Sequence, residues 1–204
     1  MTSSTEAFYP LIFGRHSVRA FSAEPVSDDV VRRILSAAVH APSAHNRQPW
    51  RFAVVRSGEL RSRLAAAMAA RFRSDLLADR LAEGDIDLQV ERVRTRMVEA
   101  PVAVMVSLTM EDMDVYPDER RRLAERTMAI QSVALACGHM LLAAHAEGLG
   151  ACWVCGPLFV PEVVREGLSL PAEWEPQALI LIGHMERTPR VTDRRPSDEV
   201  TVWR

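Results

Sequence analysis

Apolar and polar positions alternate along this chain with two periods. Val30, Val31, Ile34, Leu35 and Ala38 recur at helical spacing, so a helix is predicted to about residue 40. Ser27 stands where it can cap that helix, and Asp28 and Asp29 suit the positive end of its dipole. Residues 60–81 and 88–99 read as helices separated at Gly84 and Asp85, with Pro101 ending the second. Residues 123–147 form the longest helical stretch, about 37 Å if continuous, with Ile130, Val133, Ala134, Cys137, Met140, Leu141 and Ala144 as its apolar stripe. Residues 161–168 read as a short helix with Pro161 in its first turn. Four short apolar runs, 52–55, 102–108, 151–154 and 178–182, read as buried strands. This order predicts an α+β sandwich with a mixed central sheet, in a single domain over residues 1–204.

One stretch does not serve the core alone. Arg15-His16-Ser17-Val18-Arg19-Ala20-Phe21 follows the short apolar segment 7–13. Run as extended chain, it points Arg15, Ser17 and Arg19 to one side and Val18 to the other. Two planar guanidinium forks beside a hydroxyl match the oxygens of a phosphate monoester. Arg187, Arg190, Arg194 and Arg195 form a second basic cluster, from which Arg194 or Arg195 can supply a third cation.

Composition narrows the classes. With 204 residues, 48% hydrophobic and 25% charged, the chain is an ordinary globular one. A net charge of -2 argues against broad nucleic-acid binding. All 25 basic residues are arginine, so no lysine can form a Schiff base. The N-terminal residues 1–6 are polar, no run of eighteen apolar residues occurs, and three cysteines make no disulfide framework. The expectation is a cytoplasmic protein with no membrane span.

Two further stretches carry chemistry. Pro42-Ser43-Ala44-His45-Asn46-Arg47-Gln48-Pro49-Trp50 sets two amide side chains in a proline-bounded loop, and amides can read an imide-like heteroaromatic edge. Gly148-Leu149-Gly150-Ala151-Cys152-Trp153-Val154-Cys155-Gly156-Pro157 combines a strand with glycines that let a ligand approach the backbone. Its C-x-x-C lacks a thioredoxin-type arrangement and two further zinc ligands, so Cys152 and Cys155 are read as core thiols. No catalytic triad, P-loop or dinucleotide fingerprint is present, and no catalytic residue or metal ligand is assigned.

Together the R-x-S-x-R opening, the P-S-x-x-N-x-Q-P-W loop, the G-L-G strand and the C-terminal arginine resemble the nitroreductase family of FMN-dependent oxidoreductases. The resemblance implies FMN as cofactor and a homodimer with its long helix at the interface. Arg15, His16, Ser17 and Arg19 would hold the phosphate and pyrimidine edge, with Arg194 or Arg195 completing the phosphate site. Pro42, Ser43, Ala44 and Asn46 would come from the other subunit, and Val154, Cys155 and Gly156 would pass the flavin ring. A narrower resemblance, to the C-terminal flavin domain of FbiB in deazaflavin coenzyme biosynthesis, is carried by Arg73-Ser74-Asp75-Leu76, Tyr116-Pro117-Asp118, Trp174-Glu175-Pro176 and the Trp203 ending. The implied activity passes hydride from a reduced nicotinamide or deazaflavin donor, via FMN, to a nitroaromatic, a quinone or a dehydro-deazaflavin precursor. Two alternatives stand beside it: breakdown of the flavin to dimethylbenzimidazole, and a flavin-binding module without turnover.

Overall fold

The computed structural model describes residues 4–189 and 192–204. Helix α1 (Ser4–Gly14) leads into the extended segment 15–21, followed by α2 (Asp28–Val39), strand β1 (Trp50–Val55), α3 (Gly58–Ala78) and α4 (Glu83–Glu99). Strand β2 (Val102–Leu108), α5 (Glu119–Ala146), β3 (Gly150–Val154), α6 (Pro161–Leu168) and β4 (Glu175–Gly183) complete the fold.

The strands lie in the order β1-β2-β4-β3. Every pairing among them is antiparallel, so the mixed sheet expected from the sequence is corrected in its four named strands. Its parallel component among the described residues is a single bridge from Ser17 to Ala151, made by the segment after α1. The two faces of β2 sort its side chains. Val102, Val104, Val106 and Leu108 pack with α2 and α5, while Ala103 and Met105 pack with α3, α4 and α6. A strand covered on both sides reads as continuous apolar sequence, which is why 102–108 showed no alternation. Each fully buried Val, Leu or Ile side chain here contributes about 1.5–3 kcal/mol. By contrast β1 is an edge strand, and Val54 on it is exposed.

Capping fixes the helix ends. The Ser27 side chain accepts from Val30 N at 3.4 Å at the start of α2. Asp118 does the same for Arg121 N at 3.0 Å, which starts α5 about a turn before the predicted start at residue 123. Gly84 and Asp85 lie inside the first turn of α4 instead of interrupting it. Helix α5 is long and apolar enough to cross a membrane by length and composition, but here Ala129, Val133, Cys137, Met140 and Ala144 are buried in the core against the sheet. Ile130, expected in that stripe, is exposed together with Leu123 and Leu135. Arg33 of α2 donates to both Glu147 oxygens, at 2.8 and 2.7 Å, and ties the end of α5 to α2.

Candidate functional site

Residues 15–21 run extended, as their alternation requires. Val18 N donates to Ala151 O at 3.0 Å, which clamps the segment to β3. On its other side Ser22 N donates to His184 O at 3.0 Å and Glu186 N to Ala20 O at 3.2 Å. Val18, Ala20 and Phe21 are buried, Arg15 and Ser17 are half-buried, and Arg19 is exposed. The close approach to β3 depends on Gly150, where a Cβ would come 2.6 Å from the Val18 Cβ. Neither Arg15 nor Arg19 has an acidic partner among the described residues.

The bridge between Phe21 and Met185 sets an antiparallel register. Beyond that bridge the chain bends at Arg187, which stays on the same cleft as Arg19. Both line a cleft of about 430 Å³ with Ser17, Thr188 and Thr192. Like charges sharing a cleft repel, and neither guanidinium is neutralised within the described chain. An anion between them would relieve that repulsion. An adjoining cleft of about 240 Å³ holds Arg15 and His16 and shares Val18, Thr188 and Pro189 with the first. His16 Nδ1 lies 2.7 Å from Gly14 O, which anchors the ring beside it.

The C-terminal arginine that lines this cleft is Arg187. Arg194 Nη1 donates to Thr192 O at 2.9 Å and to Thr192 Oγ1 at 2.7 Å, turned onto its own loop. Arg195 is exposed, and neither residue lines the cleft. Arg190 lies outside the described residues. Arg187 was visible in the sequence as part of the basic cluster, but its place on the cleft of Arg19 needed the fold.

Pro42, Ser43 and Ala44 open on a separate hollow against α5, with Met128, Ser132 and Leu135. Within one chain the R-x-S-x-R segment and the amide loop thus line different concavities. A short 3-10 turn, Ala44–Asn46, shapes the loop. His45, Asn46 and Gln48 all adopt positive φ, at 49°, 54° and 51°. Ser43 Oγ accepts from Gln48 N at 3.1 Å, and Ser132 Oγ accepts from Ala44 N at 3.2 Å. The Asn46 side-chain amide is exposed and makes no hydrogen bond among the described residues, so it is available to a ligand.

At the end of β3, Val154 and Gly156 border an apolar cleft of about 190 Å³ with Met68, Phe72 and Phe159. Cys155 is exposed, which corrects its reading as a core thiol, whereas Cys152 and Cys137 are buried. The difference arises because the chain leaves the sheet at Val154 and turns at Gly156–Phe159. Burial pushes the Cys152 thiol up, opposed by the positive charges of Arg19 and Arg96. Burial also pushes the Cys137 thiol up, to about 12.

Comparison with known proteins decides what this geometry belongs to. The model of the nitroreductase family matches residues 12–184. The chain belongs to the nitroreductase family. Its relatives within reach of sequence include an NADH dehydrogenase from Thermus thermophilus, 30% identical over 93% of this chain and 92% of the relative. A 5,6-dimethylbenzimidazole synthase from Rhodospirillum rubrum is 34% identical over 83% of this chain and 77% of its own. Among solved structures, a nitroreductase-type protein from Desulfovibrio desulfuricans in complex with FMN superposes with a TM-score of 0.72 and 29% identity, covering 95% of this chain and 94% of that one. As a nitroreductase-family member, the chain has the α+β fold its pattern predicted, and oxidoreductase chemistry is the family context of its clefts.

Proposed function

We propose that this chain is an FMN-dependent oxidoreductase that takes electrons from a reduced nicotinamide or deazaflavin donor and passes them to a small organic acceptor. FMN is its cofactor. One observation carries the reading: Arg19 and Arg187, without an acidic partner among the described residues, share a cleft with Ser17. Arg15 adds a further positive charge at the neighbouring cleft. These residues would hold the phosphate, and the Asn46 amide would read the pyrimidine edge. Bound FMN supplies the two-electron chemistry; the chain supplies position, charge and backbone donors.

The functional unit is a homodimer in this reading. Residues 15–19 and 42–46 face different hollows of one chain, so a second copy would bring the two halves together. Exposed apolar side chains support this: Phe8, Tyr9 and Phe13 on α1, Leu123, Ile130 and Leu135 on α5, and Val200, Val202 and Trp203 in the tail. The acceptor is a nitroaromatic, a quinone or a dehydro-deazaflavin precursor. The apolar lining beside Val154 and Gly156 favours a flat, weakly polar molecule.

The test begins with purified protein and added FMN. A stoichiometric flavin spectrum, bleached without oxygen by NADH, NADPH or a reduced deazaflavin and restored by one of the acceptors, is the expected result. A protein that stays colourless after FMN addition overturns the reading. The similarity to the dimethylbenzimidazole synthase favours a second reading, in which reduced FMN is itself consumed with oxygen. Loss of flavin absorbance, with dimethylbenzimidazole appearing as product, decides for it; recovery of intact FMN after many turnovers decides against it.

A further inference from the structure

The strained amide loop is held from outside by an acidic segment. Residues 109–118 join β2 to α5, and they grip residues 47–51 at three points. Thr109 N donates to Pro49 O at 2.9 Å. Asp112 pairs with Arg51 at 3.3 Å. Asp114 pairs with Arg47, the residue lying between the left-handed Asn46 and Gln48. Asp114 is itself fixed, because its backbone N donates to Glu125 Oε1 at 3.1 Å. Glu125 is buried on α5, and Met113 beside Asp114 is buried in the same core.

Glu125 and Ser132 are seven residues apart, two turns along one face of α5. Ser132 holds the loop at Ala44, and Glu125 holds it at Arg47 through Asp114. Left-handed φ at a non-glycine residue is uncommon, and such strain persists where surrounding contacts over-determine it. Of three such residues here, Asn46 tolerates that conformation best and is also the one with a free amide.

We propose that Asp114 is a positioning residue for the cofactor site: by holding Arg47 from the Glu125 anchor, it keeps the Asn46 amide in the orientation that meets the flavin edge. This rests on the FMN reading above. Asp114 touches no ligand in this account and acts through Arg47.

A double-mutant cycle tests it. FMN is titrated into the parent apoprotein, Asp114→Asn, Arg47→Gln and the double variant, with binding followed by flavin fluorescence. The melting temperature of each apoprotein is measured in parallel. Each single variant is expected to raise the FMN Kd about fivefold, the scale of a partly exposed ion pair. The double variant should bind no worse than either single one, because both changes remove one coupled element. The apoprotein melting temperatures should agree within about 3 °C. At saturating FMN, the visible absorbance bands of the flavin should change shape in all three variants. If Asp114→Asn binds FMN as the parent does, or if the two single effects multiply in the double variant, the proposal is overturned while the FMN reading stands. If the parent itself takes up no FMN, the FMN reading fails and the proposal fails with it.

Discussion

Gly150 and Val18 meet so closely that a methyl group on Gly150 would come 2.6 Å from the Val18 Cβ. The hydrogen bond from Val18 N to Ala151 O draws the two strands together at this point. Gly150→Ala therefore has to displace residues 15–19 from β3, at about 1–3 kcal/mol by the usual cost of overpacking. Denaturant unfolding should show that loss, and FMN should bind more weakly because Arg15, Ser17 and Arg19 move with Val18. Adding Val18→Ala should not rescue it, since the alanine keeps the Cβ that clashes.

The two arginines of this cleft give a separable prediction. Arg19→Ala or Arg187→Ala should leave folding intact, since neither guanidinium has an acidic partner among the described residues to lose. Removing one hydrogen-bonded charge from a phosphate costs about 1.5–3 kcal/mol, so the FMN Kd should rise about 10- to 100-fold for each. Dialysis followed by flavin absorbance measures retention, and turnover should return when excess FMN is supplied. Arg194→Ala should have a smaller effect, because its guanidinium is engaged with Thr192. Equal losses at 187 and 194 would put the C-terminal cation elsewhere.

Acid sensitivity should trace in part to Glu175. The hydrogen bonds from Arg126, one at 2.7 Å, hold the Glu175 carboxyl below its ordinary value of 4.5, and burial opposes them. A depressed folded-state pKa gives stability that is present above the unfolded value. That stability is lost as pH falls through the folded one. The pair thus supports the junction of α5 and β4 at neutral pH and fails in acid below about pH 4.5. Both side chains are more than a third exposed, so Glu175→Gln should cost about 1 kcal/mol or less at pH 7. Melting curves from pH 7 down to pH 3 check it: the variant should lose less stability over that interval than the parent.

The fold was legible where one physical signal dominated. Continuous apolar runs marked β2 and β4, and Ser27 marked the start of α2. Pairing direction was not legible, because an apolar strand looks the same whichever way its neighbour runs; hence the expected mixed sheet and the antiparallel one found. The extended course of Arg15, Ser17 and Arg19 could be read because their period matches extended chain. Arg187 could not be chosen over Arg194, since the choice rests on the pairing of Phe21 with Met185, which lie 164 positions apart by their numbers. The link from Asp114 to Arg47 is equally non-local, 67 positions apart by their numbers.

The three thiols supply the last prediction. Cys137 and Cys152 are buried and Cys155 is exposed at the turn after β3. A thiolate is the reactive form, and burial disfavours it at the first two positions, with Cys137 pushed up to about 12. A maleimide at pH 7 should therefore modify one thiol per chain, and Cys155→Ser should abolish that modification. The other two should react only in denaturant. Val154 and Gly156, which flank Cys155, are the backbone that would pass the flavin ring, so saturating FMN should slow the labelling severalfold. If labelling is unaffected by FMN in a protein shown to bind it, the ring lies away from this turn and the contact assigned to residues 154–156 is wrong.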